Sequence, residues 1–156
     1  MKIRFKNHHG WLALSFCLGV AAFGVQYDLY NSISPSASLN PGAKTASTNN
    51  GSSVDLKGYG SATVIVPFGL WSDGTHKVQV EESTNNSTWS TVSSTEILGS
   101  TVSVSNATDD NTVYSFGYLG DARYLRVSGY VSGSTTSGAV YGGLILRGHP
   151  ITLPTN

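Results

Sequence analysis

The sequence is short of charge, of cysteine and of helical pattern, and each shortage closes off a class of functions. Only 12% of its 156 residues are Asp, Glu, Lys or Arg, half of the about 25% usual in soluble domains. Beyond residue 25, six basic residues face nine acidic ones, a net of −3. A body of that sign lacks the basic footprint that phosphate backbones require, so no direct nucleic-acid binding is expected. The single cysteine, Cys17, excludes an internal disulfide and any cysteine-based metal site. No stretch after residue 26 repeats its apolar residues at a helical period.

Ser, Thr, Gly and Asn fill the gap left by charge, a composition that suits strands, turns and closely packed neighbours. It equally suits an extracellular domain. At 156 residues the chain is long enough to bury a core without staples.

Residues 1–25 stand apart. A basic, polar start holding Lys2, Arg4, Lys6, His8 and His9 leads into an apolar run from Trp11 to Val25, with small residues in Ala22-Phe23-Gly24. This is the three-part pattern of a secretory signal, and it is shorter than the ~20 residues of a spanning helix. The alternative is a miscalled start, with translation beginning near Val25. Under either reading the fold begins later. Residues 26–51 hold Pro35, Pro41 and a polar run to Gly51, and are expected to form an extended arm. Residues 52–156 are expected to form the folded domain.

In that domain, strand-like runs recur at short spacing. Ala62–Phe68 is apolar on both faces and reads as a central strand that Pro67 ends. Ser72-Asp-Gly-Thr75 is a turn, because Asp-Gly tolerates positive φ. His76–Glu82 alternates, with Val78 and Val80 inward and Lys77, Gln79 and Glu81 outward. Shorter runs follow around Trp89–Val92, Ile97–Leu98 and Thr101–Ser105, and then Thr112–Tyr118. Two long runs close the chain across a Ser/Thr/Gly turn, the second stopped by Gly148-His149-Pro150. The expected fold is all-β: an antiparallel β-sandwich of about eight strands, jelly-roll or Ig-like.

The search for chemistry yields no catalytic, cofactor-binding or metal-binding residue. His76 has serines and aspartates everywhere but no nucleophile elbow, and reads as a histidine opening an exposed strand. Glu81 and Glu82 are adjacent on a strand and point to opposite faces, so they cannot act as a carboxylate pair. One of them is expected inward, in a structural ion pair with Arg123 or Arg126. Asp109, Asp110, Asn111 and Asp121 fit no calcium-loop spacing and read as turns. His149 offers a ligand only if several copies meet at an axis. The triplets at Asn50, Asn86 and Asn106 match glycosylation acceptors but arise by chance in such a composition. Trp71, Trp89, Tyr59, Tyr114, Tyr118, Tyr124, Tyr130 and Tyr141 are expected mainly in the core and in subunit contacts, with an exposed sugar-stacking strip as the alternative.

An ordered series of short motifs runs through residues 27–154. It comprises Tyr27-Asp-Leu-Tyr-Asn31, Val54-Asp-Leu-Lys-Gly-Tyr59, Asp73-Gly-Thr75, Glu81-Glu-Ser83, Ile97-Leu-Gly99, Asp109-Asp-Asn-Thr-Val113, Gly117–Arg126 and Gly148-His-Pro150. The series resembles small structural, capsid-decoration or head-associated proteins of tailed double-stranded DNA bacteriophages and prophages. These begin close to the Tyr-Asp-Leu-Tyr segment, which favours the miscalled start. The resemblance implies a non-enzymatic virion protein without cofactor, binding the outer shell as decoration or cement. Its partners would be the major capsid protein or other virion subunits and further copies of itself, with no membrane unless residues 1–25 are retained. Which residues meet the partner is not specified by the motifs. The alternative is a secreted carbohydrate- or surface-binding β-sandwich module.

Overall fold

The computed structural model describes residues 28–100 and 102–152. The 1–25 segment, with His8, His9 and Cys17, lies outside them. Eleven strands and one short 3-10 turn follow in order: β1 Ile33–Lys44, β2 Thr48–Asn50, β3 Val54–Asp55, β4 Tyr59–Trp71, β5 Thr75–Ser83, β6 Ser90–Thr91, β7 Ile97–Leu98, β8 Val102–Val104, the turn Ala107–Asp109, β9 Val113–Tyr118, β10 Tyr124–Ser132 and β11 Ala139–Pro150.

They form two antiparallel sheets. The first has the order β1-β11-β4-β9-β7. In the second, β10 and β5 are central, β2 and β3 lie end to end along β10, and β6 and β8 do the same along β5. If each end-to-end pair counts as one strand and the two-residue β7 at the edge of the first sheet is set aside, the first sheet holds the first, eighth, third and sixth strands and the second sheet the second, seventh, fourth and fifth. The expected antiparallel β-sandwich is present, and this order matches that of a jelly roll.

The core lies between the sheets. Alternation sends Val64, Val66 and Phe68 of β4, Phe116 of β9, and Tyr141 and Ile145 of β11 inward from one side. Val78, Val80, Val102, Val104, Leu125 and Val127 meet them from the other. Each such fully buried aliphatic side chain contributes about 1.5–3 kcal/mol.

Three expectations need revision. The 26–51 stretch is extended, but over Ile33–Lys44 it is the edge strand of the first sheet, paired from Ile33↔Gly148 to Lys44↔Ala139. Its prolines are tolerated because an edge strand leaves one row of N–H groups unused, and bulges break its register between Ala37 and Gly42. The sandwich therefore begins before residue 52. Second, β4 runs through Pro67 to Trp71. Opposite Pro67 the pairing with β11 lapses, passing from Tyr141↔Phe68 to Leu144↔Ile65, so no ladder bond demands the missing N–H. Third, β4 is central, yet only one of its faces is covered, since Thr63 and Pro67 are exposed.

Candidate interaction surfaces

With no cleft singled out by sequence, the site must be built from what the fold does with each polar side chain. His76 is wholly buried, not exposed as its neighbours suggested. Its Nε2 lies 2.9 Å from the Asp73 carbonyl oxygen, and its ring packs edge-on against Phe68 and Tyr141. On β5 it shares the inward phase of Val78 and Val80.

Glu81 and Glu82 diverge as their phase requires. Glu82 accepts a hydrogen bond from the Tyr118 hydroxyl at 2.6 Å, tying the second sheet to the first. Glu81 points away from the core, yet it is buried. Arg126 Nε, directly opposite on β10, donates to it at 2.6 Å, Ser128 at 2.8 Å and Tyr130 at 2.5 Å. Burial pushes its carboxyl up, and the bonds from Tyr130, Arg126 and Ser128 outweigh that, so it titrates below the usual range. The expected ion pair with Arg126 is present, but on the outer surface of the sheet.

Asp55 and Arg123 form a second pair, bidentate, with the shorter contact at 2.7 Å. That hydrogen bonding holds Asp55 at about 2. Asp73, in the Asp-Gly turn, accepts three consecutive backbone N–H bonds from Thr136, Ser137 and Gly138. It thereby clips the β4–β5 turn to the β10–β11 turn, and those bonds to the ionised carboxylate lower its pKa. Gly74, at φ +79°, supplies the left-handed position the turn needs. Sequence reasoning identified the turn and missed the clip.

Asp109–Asn111 precede β9 and Asp121 follows it, so a whole strand separates them. Asp110 instead accepts from the Trp71 backbone N–H at 2.7 Å. Among the described residues, no group of three or more His, Cys, Asp or Glu could hold a metal ion. His149, at φ +50°, has its Nδ1 2.7 Å from Ser61 Oγ on the rim of a groove of about 600 Å³ lined by Leu29, Thr63, Leu146 and Pro150. Asn106 caps the 3-10 turn by accepting from Thr108 N–H, Asn50 lies on β2, and Asn86 adopts φ +58° in a loop.

The aromatics divide. Tyr141 is core and stacks on Phe68 at 5.2 Å, while Tyr114, Tyr118 and Trp71 pack against the core from its border. Trp89, Tyr124 and Tyr59 lie under guanidinium groups, those of Arg126 at 4.4 Å, Arg123 at 5.0 Å and Arg147 at 4.5 Å. The ring faces a sugar would stack on are therefore partly occupied by protein cations.

What remains is a contrast between the two outer faces. That of the second sheet carries Lys77, Gln79, Glu81, Tyr124, Arg126, Ser128 and Tyr130. On the first sheet, one register row reads Pro35–Leu146–Thr63–Gly117–Leu98 and the next Ala37–Leu144–Ile65–Ser115, flanked by Pro67–Val113 and Ala43–Val140. No charged residue stands in these rows. Leu98, Val113, Val140 and Leu144 are exposed there. The alternation of β4 and β11 hinted at this face, but its extent depends on pairings between distant segments.

No family model, no curated protein and no solved structure matches the chain.

Proposed function

We propose that the chain is a non-enzymatic structural component of a tailed-phage virion, a decoration or cement protein bound to the outer shell. The observation that carries this reading is where the charged residues of its phage-like motifs go. Asp55 of the first folded motif pairs with Arg123 of Gly117–Arg126, Glu81 with Arg126, and Asp73 with the backbone of the last turn. These residues clasp neighbouring strands of the second sheet and two adjacent turns to one another. Motifs spent on internal joints define a building block, and the outer face of the first sheet is apolar or hydroxyl-rich, as close packing among repeated subunits requires.

The secreted carbohydrate-binding reading has less behind it, because the outward rings of Trp89 and Tyr124 are covered and the Tyr130 hydroxyl is held by Glu81. Mass spectrometry of particles purified through a density gradient tests the proposal. The chain is expected to band with intact particles at many copies each, and its absence from them overturns the reading. Genes for a major capsid protein, portal or head completion beside this one are also expected. A polysaccharide-degradation cluster there would favour the secreted module.

A further inference from the structure

We infer that the uncharged outer face of the first sheet pairs with the same face of a second copy, so that two sandwiches associate back to back. Soluble monomers rarely expose a contiguous apolar surface beyond a few hundred Å². Here β1, β11 and β4 are 12, 12 and 13 residues long. With the shorter β9 and β7 beside them, a strand width of about 4.8 Å and a rise of about 3.3 Å per residue give this face an area on the order of 700 Å². About 800 Å² per partner is what a standard stable interface buries.

The charge pattern selects the partner. In a two-fold interface the residues near the axis meet their own counterparts, so any charge there would confront itself. The rows centred on Leu144–Ile65 and Leu146–Thr63 contain no ionisable group, and Arg147 and His149 lie only at one end, beside the groove. The other outer face, with Lys77 and Arg126, does not meet that condition. Thr63, Ser115, Gly117 and Ala37 keep the surface low around Leu144, Leu146 and Ile65, which lets two twisted sheets approach. The pairing follows from the face itself and stands whether or not the chain belongs to a virion.

Light scattering and sedimentation equilibrium on the purified full chain at micromolar concentration test it. The expected mass is twice the 16.4 kDa of one chain. Ile65→Lys, and separately Ser115→Lys on the same row, are expected to return the mass to that of one chain with unchanged circular dichroism. Ser115 is already polar and exposed, so its variant guards against loss of fold. Gln79→Lys on the opposite face is expected to leave the dimer intact. A monomeric wild type, a mass of three or more copies, or a dimer that survives both lysine variants overturns the inference. So does cross-linking of residues 1–25 onto Leu146 of the same chain, which would mean that the chain covers its own face.

Discussion

Glu81 carries the largest burden of any single side chain in the described fold. Its carboxylate is buried against the half-buried Arg126 guanidinium, and Ser128 and Tyr130 also donate to it. Removing one member of such a pair leaves the other poorly solvated. Glu81→Ala is therefore expected to cost about 2–4 kcal/mol, read from urea unfolding midpoints. Glu81→Gln, which keeps one acceptor oxygen, on the Tyr130 side or on the Ser128 and Arg126 side, should lose less. A midpoint unchanged by Glu81→Ala would mean that the cluster is incidental to stability. The ion pair itself was legible, because Glu81 and Arg126 lie on alternating runs that β-pairing could bring together. The burial of Glu81 was not, since it depends on Tyr130 lying along the sheet and Trp89 covering Arg126.

At the scale of elements, turns and close approaches decide the architecture. Asp73 joins two turns 63 to 65 residues apart in sequence. Its folded-state pKa is lowered, so the unfolded chain takes up a proton first as pH falls. The stability it supplies is present above the ordinary carboxylate range and is lost as pH drops through its folded value. Asp73→Asn is expected to lower the melting temperature at pH 7, flatten its decline below about pH 5, and speed hydrogen exchange at Thr136, Ser137 and Gly138. Unaltered exchange there would refute the clip. Gly143, on the inner side of β11, faces Val127 across the core, and a Cβ in its place would come within 2.7 Å of that side chain. Gly143→Ala is expected to cost about 1–3 kcal/mol by overpacking, read from the same urea midpoints.

These element-scale facts also show which signals the sequence carried. Period-2 alternation located Val78 and Val80, Val102 and Val104, and the strand built on Tyr114, Phe116 and Tyr118, because strand phase is a local property. The pairing of β1 with β11 joins residues about 100 positions apart, so Pro35 and Pro41 read locally as breakers and gave no hint of an edge strand. His76 was misplaced although its phase with Val78 and Val80 already points it inward. Its burial comes from Phe68 and Tyr141 in the opposite sheet.

At the largest scale the described residues form a β-sandwich with unlike outer faces, and its ionisable groups set the range over which it stays folded. Asp55 at about 2, together with Asp73 and Glu81 lowered, places acid destabilisation from about pH 5 downward. At the other extreme, burial pushes Tyr141 up to about 12, and burial with a bond to Asp109 does the same for Tyr114, while Tyr118 is also raised. These phenols are held neutral by the fold. Their contribution is complete below about pH 10 and is lost as pH rises through about 12. Absorbance at 295 nm is expected to show these tyrosines ionising together with the loss of the β circular dichroism signal. Ionisation of all eight tyrosines near pH 10 with the fold intact would contradict this.

The measurement that bears most directly on the proposed virion role is the number of copies of this chain per intact phage particle, counted by quantitative mass spectrometry against the major shell subunit. A structural component clasped internally and packed through its outer faces is predicted at a fixed ratio to that subunit, comparable from one preparation to the next. A chain absent from particles, or present at a ratio that falls with each round of purification, would contradict it.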